Sequence, residues 1–219
     1  PKLVLDVQFA DSGVATNKGK VLSSLPVVQG TTNAIVTRWN TLYAKYEAVF
    51  DGTNFFYVPY TKEDAIGNAM QGMFSMEILF SPDGGVNPFS SMESGGLGYE
   101  MTSDNKLAFY YRANNKWVLP NNNFQIPIQV GQNAYYHAVV TYNKTTFRMY
   151  LNGNKVKEMK VSGSFNFPQK NQAPDYLMGI GGDYRDVVIP SIQNSFIGKI
   201  VYARLYKGVL SESNVKKMN

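Results

Sequence analysis
The sequence predicts an all-β fold, a two-sheet antiparallel jelly-roll β-sandwich with at most short helical turns. Three observations carry that expectation. Apolar residues recur at every second position in several segments, the period of half-buried strands. Glycine, asparagine, aspartate and proline punctuate those segments as turns. Helical periodicity is nearly absent, and no linker or fixed-period repeat divides the chain, so residues 1–219 read as one domain.

Taken in chain order, Thr61-Lys62-Glu63-Asp64 reads as a capped turn. Phe74, Met76, Ile78 and Phe80 then alternate with Ser75, Glu77, Leu79 and Ser81, a strand with one apolar face. After the turn Ser103-Asp104-Asn105, Leu107, Phe109 and Tyr111 repeat the pattern. Ala138, Val140 and Tyr142 open another strand, which turns at Asn143-Lys144-Thr145 and resumes at Phe147, Met149 and Leu151. Asn152-Gly153 is the strongest short hairpin signal, with Val156 and Met159 just beyond it. Near the end, Ile200, Tyr202, Arg204 and Tyr206 face one way and Val201, Ala203 and Leu205 the other. Apolar groups on both faces predict a central strand. Ser211 is placed to cap a short terminal helix through Val215.

Composition excludes several classes of function. Hydrophobic residues make up 44% and charged residues 17%, which is incompatible with intrinsic disorder. No apolar run approaches the roughly 18–20 residues of a membrane helix. Lysine and arginine outnumber aspartate and glutamate by 21 to 16, leaving a net charge of +5. Those basic residues are scattered, and their densest cluster is Lys216-Lys217, so they read as a solvated surface with no nucleic-acid partner. The chain has no cysteine, which rules out disulfides, thiolate nucleophiles and cysteine-bound metals. Its one histidine, His137, cannot form a multi-histidine metal site alone.

Tyr135-Tyr136-His137-Ala138-Val139-Val140-Thr141-Tyr142 followed by Tyr150-Leu151-Asn152-Gly153 resembles the "WHHVAVTYD" strand and "LYVNG" hairpin of laminin-G-like domains, within the concanavalin A-like lectin/glucanase superfamily. Met178-Gly179-Ile180-Gly181-Gly182 resembles the "IGG" element. Phe196-Ile197-Gly198-Lys199-Ile200 through Arg204-Leu205-Tyr206 is similar to "FxGxIDEVRIY". Upstream, Phe50-Asp51-Gly52 and Phe74-Ser75-Met76-Glu77-Ile78 resemble "FDG" and "FTLEAWV". The resemblance implies a jelly roll in which the first strand, Leu5 to Asp11, pairs beside the last. It also implies a module of a longer exported protein, extracellular, periplasmic or on the cell surface. Two departures stand out: Ile200-Val201 replaces the motif's "ID", and Tyr135 replaces its tryptophan.

Retaining glucanases of this superfamily carry paired carboxylates in an E-x-D-x-x-E strand, about 5–5.5 Å apart. That spacing is absent here: Leu79 follows Glu77 at plus two, Thr102 follows Glu100, and Arg185 follows Asp183. No nucleophile or orienting acid lies near His137 in sequence, so it reads as a satisfied sheet histidine, and Glu77 as an ordinary strand residue. Gly179, Gly181 and Gly182 lack the lysine and helix of a phosphate loop and read as a strand-to-loop transition. Asn143-Lys144-Thr145 is a glycosylation sequon that matters only in a eukaryotic source; the turn itself accounts for the asparagine.

Calcium is the metal to test, with Asp183, Asp186, Asp83 and Glu93 as loop donors, since calcium takes six to eight hard oxygens. The candidate ligand contacts are Trp117, Tyr110, Asn121, Tyr184 and Trp39: aromatic rings stack on the apolar face of a sugar, and amides read its hydroxyls. The resulting expectation is a non-catalytic recognition module whose partner is a carbohydrate or surface glycan, bound through rim loops or the concave sheet face. A protein-interaction or spacer domain is the alternative, and a glycoside hydrolase with a non-standard acidic pair the third reading.

Overall fold
In a computed structural model the chain forms a sandwich of two antiparallel sheets. The structure describes residues 1–19, 27–30, 34–114, 116–118, 124–161, 176–184 and 192–218. The first part of the chain holds β1 (Lys2–Phe9), β2 (Ala15–Asn17), β3 (Val28–Gln29), β4 (Val36–Asn40), β5 (Lys45–Asp51), β6 (Phe56–Tyr60) and helix α1 (Ala65–Met70). The middle holds β7 (Phe74–Gly85), β8 (Phe89–Ser91), α2 (Met92–Gly95), β9 (Leu97–Met101), β10 (Lys106–Ala113), β11 (Lys116–Val118) and β12 (Gln125–Pro127). The last part holds β13 (Tyr136–Tyr142), β14 (Thr146–Leu151), β15 (Asn154–Lys160), β16 (Tyr176–Ile180), β17 (Asp183–Tyr184), β18 (Ile192–Gln193), β19 (Phe196–Lys207) and α3 (Glu212–Met218).

One sheet has nine strands in the order β15-β14-β13-β7-β19-β1-β5-β4, with β2 added on β1. The other has eight, β11-β10-β9-β8-β16-β6-β3, with β12 added on β10. As expected, the first strand lies beside the last, and β19 is central, held between β7 and β1. The alternation read from the sequence sets the inner faces. Phe74, Met76, Ile78 and Phe80 join Ala138, Val140, Phe147 and Met149 from one side of the core. Leu97, Tyr99, Leu107, Phe109, Tyr111, Met178 and Ile180 meet them from the other.

The turns behave as their residues require. Asn152 and Gly153 both take positive φ, 49° and 78°, the geometry of a tight two-residue hairpin. The Asn143 side chain accepts from the amides of Thr145 and Thr146, which explains that asparagine. Asp64 caps α1 by accepting from the amides of Ile66 and Gly67, while Thr61 and Asp64 bond reciprocally. Ser211 accepts from the Asn214 amide at the start of α3, as expected.

One expectation is corrected. Ile200 does not share a face with Tyr202, Arg204 and Tyr206. The pairing of β19 with β7 slips between Ile200 and Tyr202, leaving Val201 as an extra residue. This bulge flips the alternation, so Ile200 points into the core with Ala203 and Leu205, while Val201 and Tyr202 pack on the outer face with Leu79. Gly198, a little earlier in β19, has φ 144°, and a Cβ there would sit 2.3 Å from the Ser81 carbonyl oxygen. Gly198→Ala is therefore expected to destabilise the fold by roughly 2–3 kcal/mol, read as a lowered urea midpoint.

Candidate functional site
The outer face of the nine-stranded sheet carries a polar network that the core packing does not need. Two lateral rows of side chains build it. Asp6, Arg204 and Glu77 face one another across β1, β19 and β7, and Gln8, Tyr202, Leu79 and His137 form the next row. Glu77 is fully buried although it points away from the core. Its Oε1 accepts from Tyr202 Oη at 3.0 Å and lies 2.9 Å from His137 Nε2; its Oε2 accepts from Tyr206 Oη at 2.6 Å. A carboxylate only accepts, so His137 donates through Nε2. Arg204 lies 3.6 Å from Glu77, bonds Asp6 through Nε at 2.8 Å, and stacks 4.1 Å above the Tyr202 ring.

The electrostatics follow from this crowding. Burial raises the Glu77 pKa, but hydrogen bonds from His137 and Tyr206 and the charge of Arg204 outweigh it and hold the carboxyl below its usual range. Burial pushes the Tyr202 and Tyr206 hydroxyls well above the usual tyrosine value, and the Glu77 charge adds to the effect. They remain neutral donors.

Above the network lies a cleft of about 220 Å³ lined by Tyr43, Lys45, Leu79, His137, Tyr202, Arg204 and Met218. A second hollow of about 180 Å³ shares Lys45 and is walled by Trp39, Tyr46, Phe9 and Gln8. Tyr43 is positioned by a local turn, because Asn40 Oδ1 accepts from the amides of Leu42 and Tyr43. Asn40 Nδ2 and Tyr135 Oη in turn both donate to buried Glu47, at 2.7 and 2.6 Å. Tyr135 also meets the Tyr43 ring edge-on at 5.4 Å.

Comparison with known proteins places the chain. A family model described as the concanavalin A-like lectin/glucanases superfamily matches residues 71–216, two thirds of the sequence. The chain belongs to this superfamily. No curated protein matches it. Domain 4 of AbnA, a GH43 extracellular arabinanase from Geobacillus stearothermophilus solved with arabinotriose, shares 15% identity at a TM-score of 0.69, covering 99% of this chain and 98% of that domain. The binding domain of botulinum neurotoxin DC in complex with SialylT gives 14% and 0.69, and that of Paraclostridial Mosquitocidal Protein 1 gives 12% and 0.69. The match covers 99% of this chain in both, but the chain spans only about half the length of those toxin domains. At such identities the likeness concerns the fold.

Within this concanavalin A-like sandwich, the residues singled out from sequence separate onto different faces. Trp39, half exposed at the edge strand β4, stands edge-on to Tyr46 at 5.1 Å beside the cleft. Tyr110 and Trp117 lie on the opposite sheet, on β10 and β11. Tyr184 pairs through its backbone with Ile192, and its side chain is outside the described residues, as is all of Asn121. Among the metal candidates, Asp183 is buried and accepts from the Met92 amide at 3.1 Å, while Asp83 lies 3.7 Å from Lys199. Asp186 and the Glu93 side chain fall outside the described residues, and among those described no three acidic or histidine side chains gather as a metal site.

Sequence reading missed Tyr43, Lys45, Tyr202 and Arg204. It also treated Glu77 as an ordinary strand residue, although it is the hub of the network. One signal was available. Tyr135, which replaces the superfamily's tryptophan, brings a hydroxyl that in the structure donates to Glu47.

Proposed function
We propose that the domain is a non-catalytic carbohydrate-recognition module that seats a neutral sugar in the Tyr43–Arg204 cleft. The observation that carries this reading is the cleft itself, where aromatic and apolar walls converge with Lys45, His137 and Arg204 around a space of about 220 Å³. Drug-sized ligands occupy pockets of about 300–1,000 Å³, so this one suits a single sugar unit. Charge argues for a neutral ligand. Asp6 bonds Arg204 and Glu77 lies 3.6 Å from it, so the guanidinium charge of the cleft is already matched by carboxylates. An acidic sugar would have to compete with Asp6 and Glu77 for that guanidinium. The relation to an arabinanase domain solved with arabinotriose and to a toxin domain solved with SialylT supports a glycan ligand. A glycan ligand also fits an exported or cell-surface setting.

Thermal melts against arabinotriose, cellotriose, xylotriose and sialyllactose, each with calcium and with chelator, test the reading. A ligand at 100 times its Kd stabilises by about 2.7 kcal/mol, a shift of roughly 5–10 °C in a domain of this size. Neutral trisaccharides are expected to give the shift and sialyllactose none. Tyr43→Ala is expected to weaken binding by about 1–2 kcal/mol, roughly tenfold, without lowering the melting point of the free protein by more than a few degrees. A flat response to every glycan would reject the reading. It would then favour a protein partner for the exposed Val36, Trp39 and Leu42 along β4 and its turn, of which Leu42 is 72% exposed.

A further inference from the structure
The two aromatic residues that first suggested sugar binding, Tyr110 and Trp117, are nowhere near the cleft. Both lie on the outer face of the other sheet. In β10 the odd residues Leu107, Phe109 and Tyr111 are buried in the core, so Ala108, Tyr110 and Arg112 face outward. Arg112 pairs directly with Trp117, Tyr110 with Gly98, and Ala108 with both Glu100 and Gln125. Directly paired residues share a face, so Trp117, Arg112, Tyr110, Glu100 and Gln125 all emerge on one side, each partly exposed.

The chemistry of that face is concentrated. Tyr110 and Trp117 are diagonal neighbours across β10 and β11, and such neighbours stand about 7–8 Å apart, a spacing that presents two rings to successive parts of one extended ligand. Tyr110 hydrogen-bonds Glu100, and burial raises the Glu100 pKa as a half-desolvated group should. Ala108 carries no long side chain and stands between Glu100 and Gln125, whereas Ser90 and Met92 fill the space over Gly98. A guanidinium, a carboxyl group and an amide beside two rings, one of them a phenol, provide donors and acceptors together, which matches hydroxyl groups better than a purely anionic or apolar partner.

We propose that this face is a second glycan-contact surface, so that one domain engages two segments of neutral polysaccharide at once. The inference rests on the carbohydrate reading of the cleft but names a different set of residues. The two surfaces are the outward faces of sheets packed about 10 Å apart, so they point in opposite directions and no single sugar ring touches both. Binding at both places bridges separate chains, or loops of one chain, and multiplies apparent affinity for polymer over trimer.

The chain has two tryptophans, Trp39 beside the cleft and Trp117 on the second surface, which gives each face its own fluorescent reporter. Trp39→Phe leaves only Trp117 emitting, and Trp117→Phe leaves only Trp39. Each is titrated with linear arabinan, xylan and mixed-linkage glucan. The proposal expects one polymer to change the emission of both reporters, the wild-type protein to precipitate that polymer, and calorimetry with its trisaccharide to give two sites per chain. Trp117→Ala is expected to abolish precipitation, lower polymer affinity on the order of 10²-fold, and leave one trisaccharide site. A response confined to Trp39, with one site and precipitation unchanged in Trp117→Ala, overturns the second surface and leaves the cleft intact. Silence from both reporters with every polymer defeats the cleft reading and this one together.

Discussion

Replacing Glu77 with alanine is expected to cost about 3–5 kcal/mol, one of the two largest single-residue losses in the domain. A wild-type domain holds only about 5–15 kcal/mol in all, so the variant should melt roughly 6–20 °C lower. The cost arises from what is left behind. Two tyrosine hydroxyls, one imidazole and part of a guanidinium lose a common acceptor that is itself fully buried beneath the cleft. Each stranded polar group costs on the order of 1–3 kcal/mol, offset in part by water entering the gap. The pH dependence has a definite sign. Because the folded pKa of Glu77 lies below its usual 4.5, its contribution is complete above that value and is lost as pH falls through the depressed folded value. The gap in urea midpoint between wild type and Glu77→Ala should therefore narrow as the pH is lowered from 7 towards the acid end. A constant gap across that range would mean that packing, and not the charge, accounts for the loss.

The residues of this network also show how far the sequence could be read. Alternation in residues 74–81, 107–111, 138–142 and 147–151 located the core strands, because a one-residue error would have turned a whole apolar face to water. The Asn152-Gly153 hairpin and the Asp64 and Ser211 caps were legible because their chemistry is local. The bulge at Val201 was not, since nothing in the residues around it requires an extra position; it arises from the register of β19 against β7. The cleft was hidden for a related reason. Asp6, Tyr43, Glu77, His137 and Arg204 come from five separate segments, and only the strand order places them side by side. Trp117 reads from sequence as part of an asparagine-rich polar loop with Tyr110 on the strand leading into it; the structure puts Trp117 on β11, and the pleat brings the two onto one face. Trp39, a candidate because it lies in the polar segment from Gly30 to Asn40, falls on the other side of the sandwich.

Phe147→Ala is the second substitution with a large expected effect, again about 3–5 kcal/mol, and it separates stability from recognition. Phe147 stands at the centre of an aromatic cluster that ties the sheets together. Its ring stacks on Tyr142 at 4.6 Å and lies 4.7 Å from Tyr111, 5.6 Å from Phe109 and 6.3 Å from Phe124. Tyr142 belongs to the nine-stranded sheet, whereas Phe109 and Tyr111 belong to the eight-stranded one. Truncation leaves a cavity that these rings, held by both sheets, can only partly refill, and Phe147→Leu should lose much less, roughly 1–1.5 kcal/mol. Both proposed glycan surfaces lie on outward faces, one built on β1, β7, β13 and β19 and the other on β9 to β12. A void between the sheets should therefore lower the melting point steeply while leaving the glycan Kd of the folded protein within about twofold. Calorimetric titration at 15 °C, well below the lowered transition, distinguishes the cases. Unchanged Kd means that each sheet holds its own surface rigid. A Kd that weakens with the core means instead that the cleft depends on the two sheets packing together, and its geometry would then have to be sought in the whole sandwich.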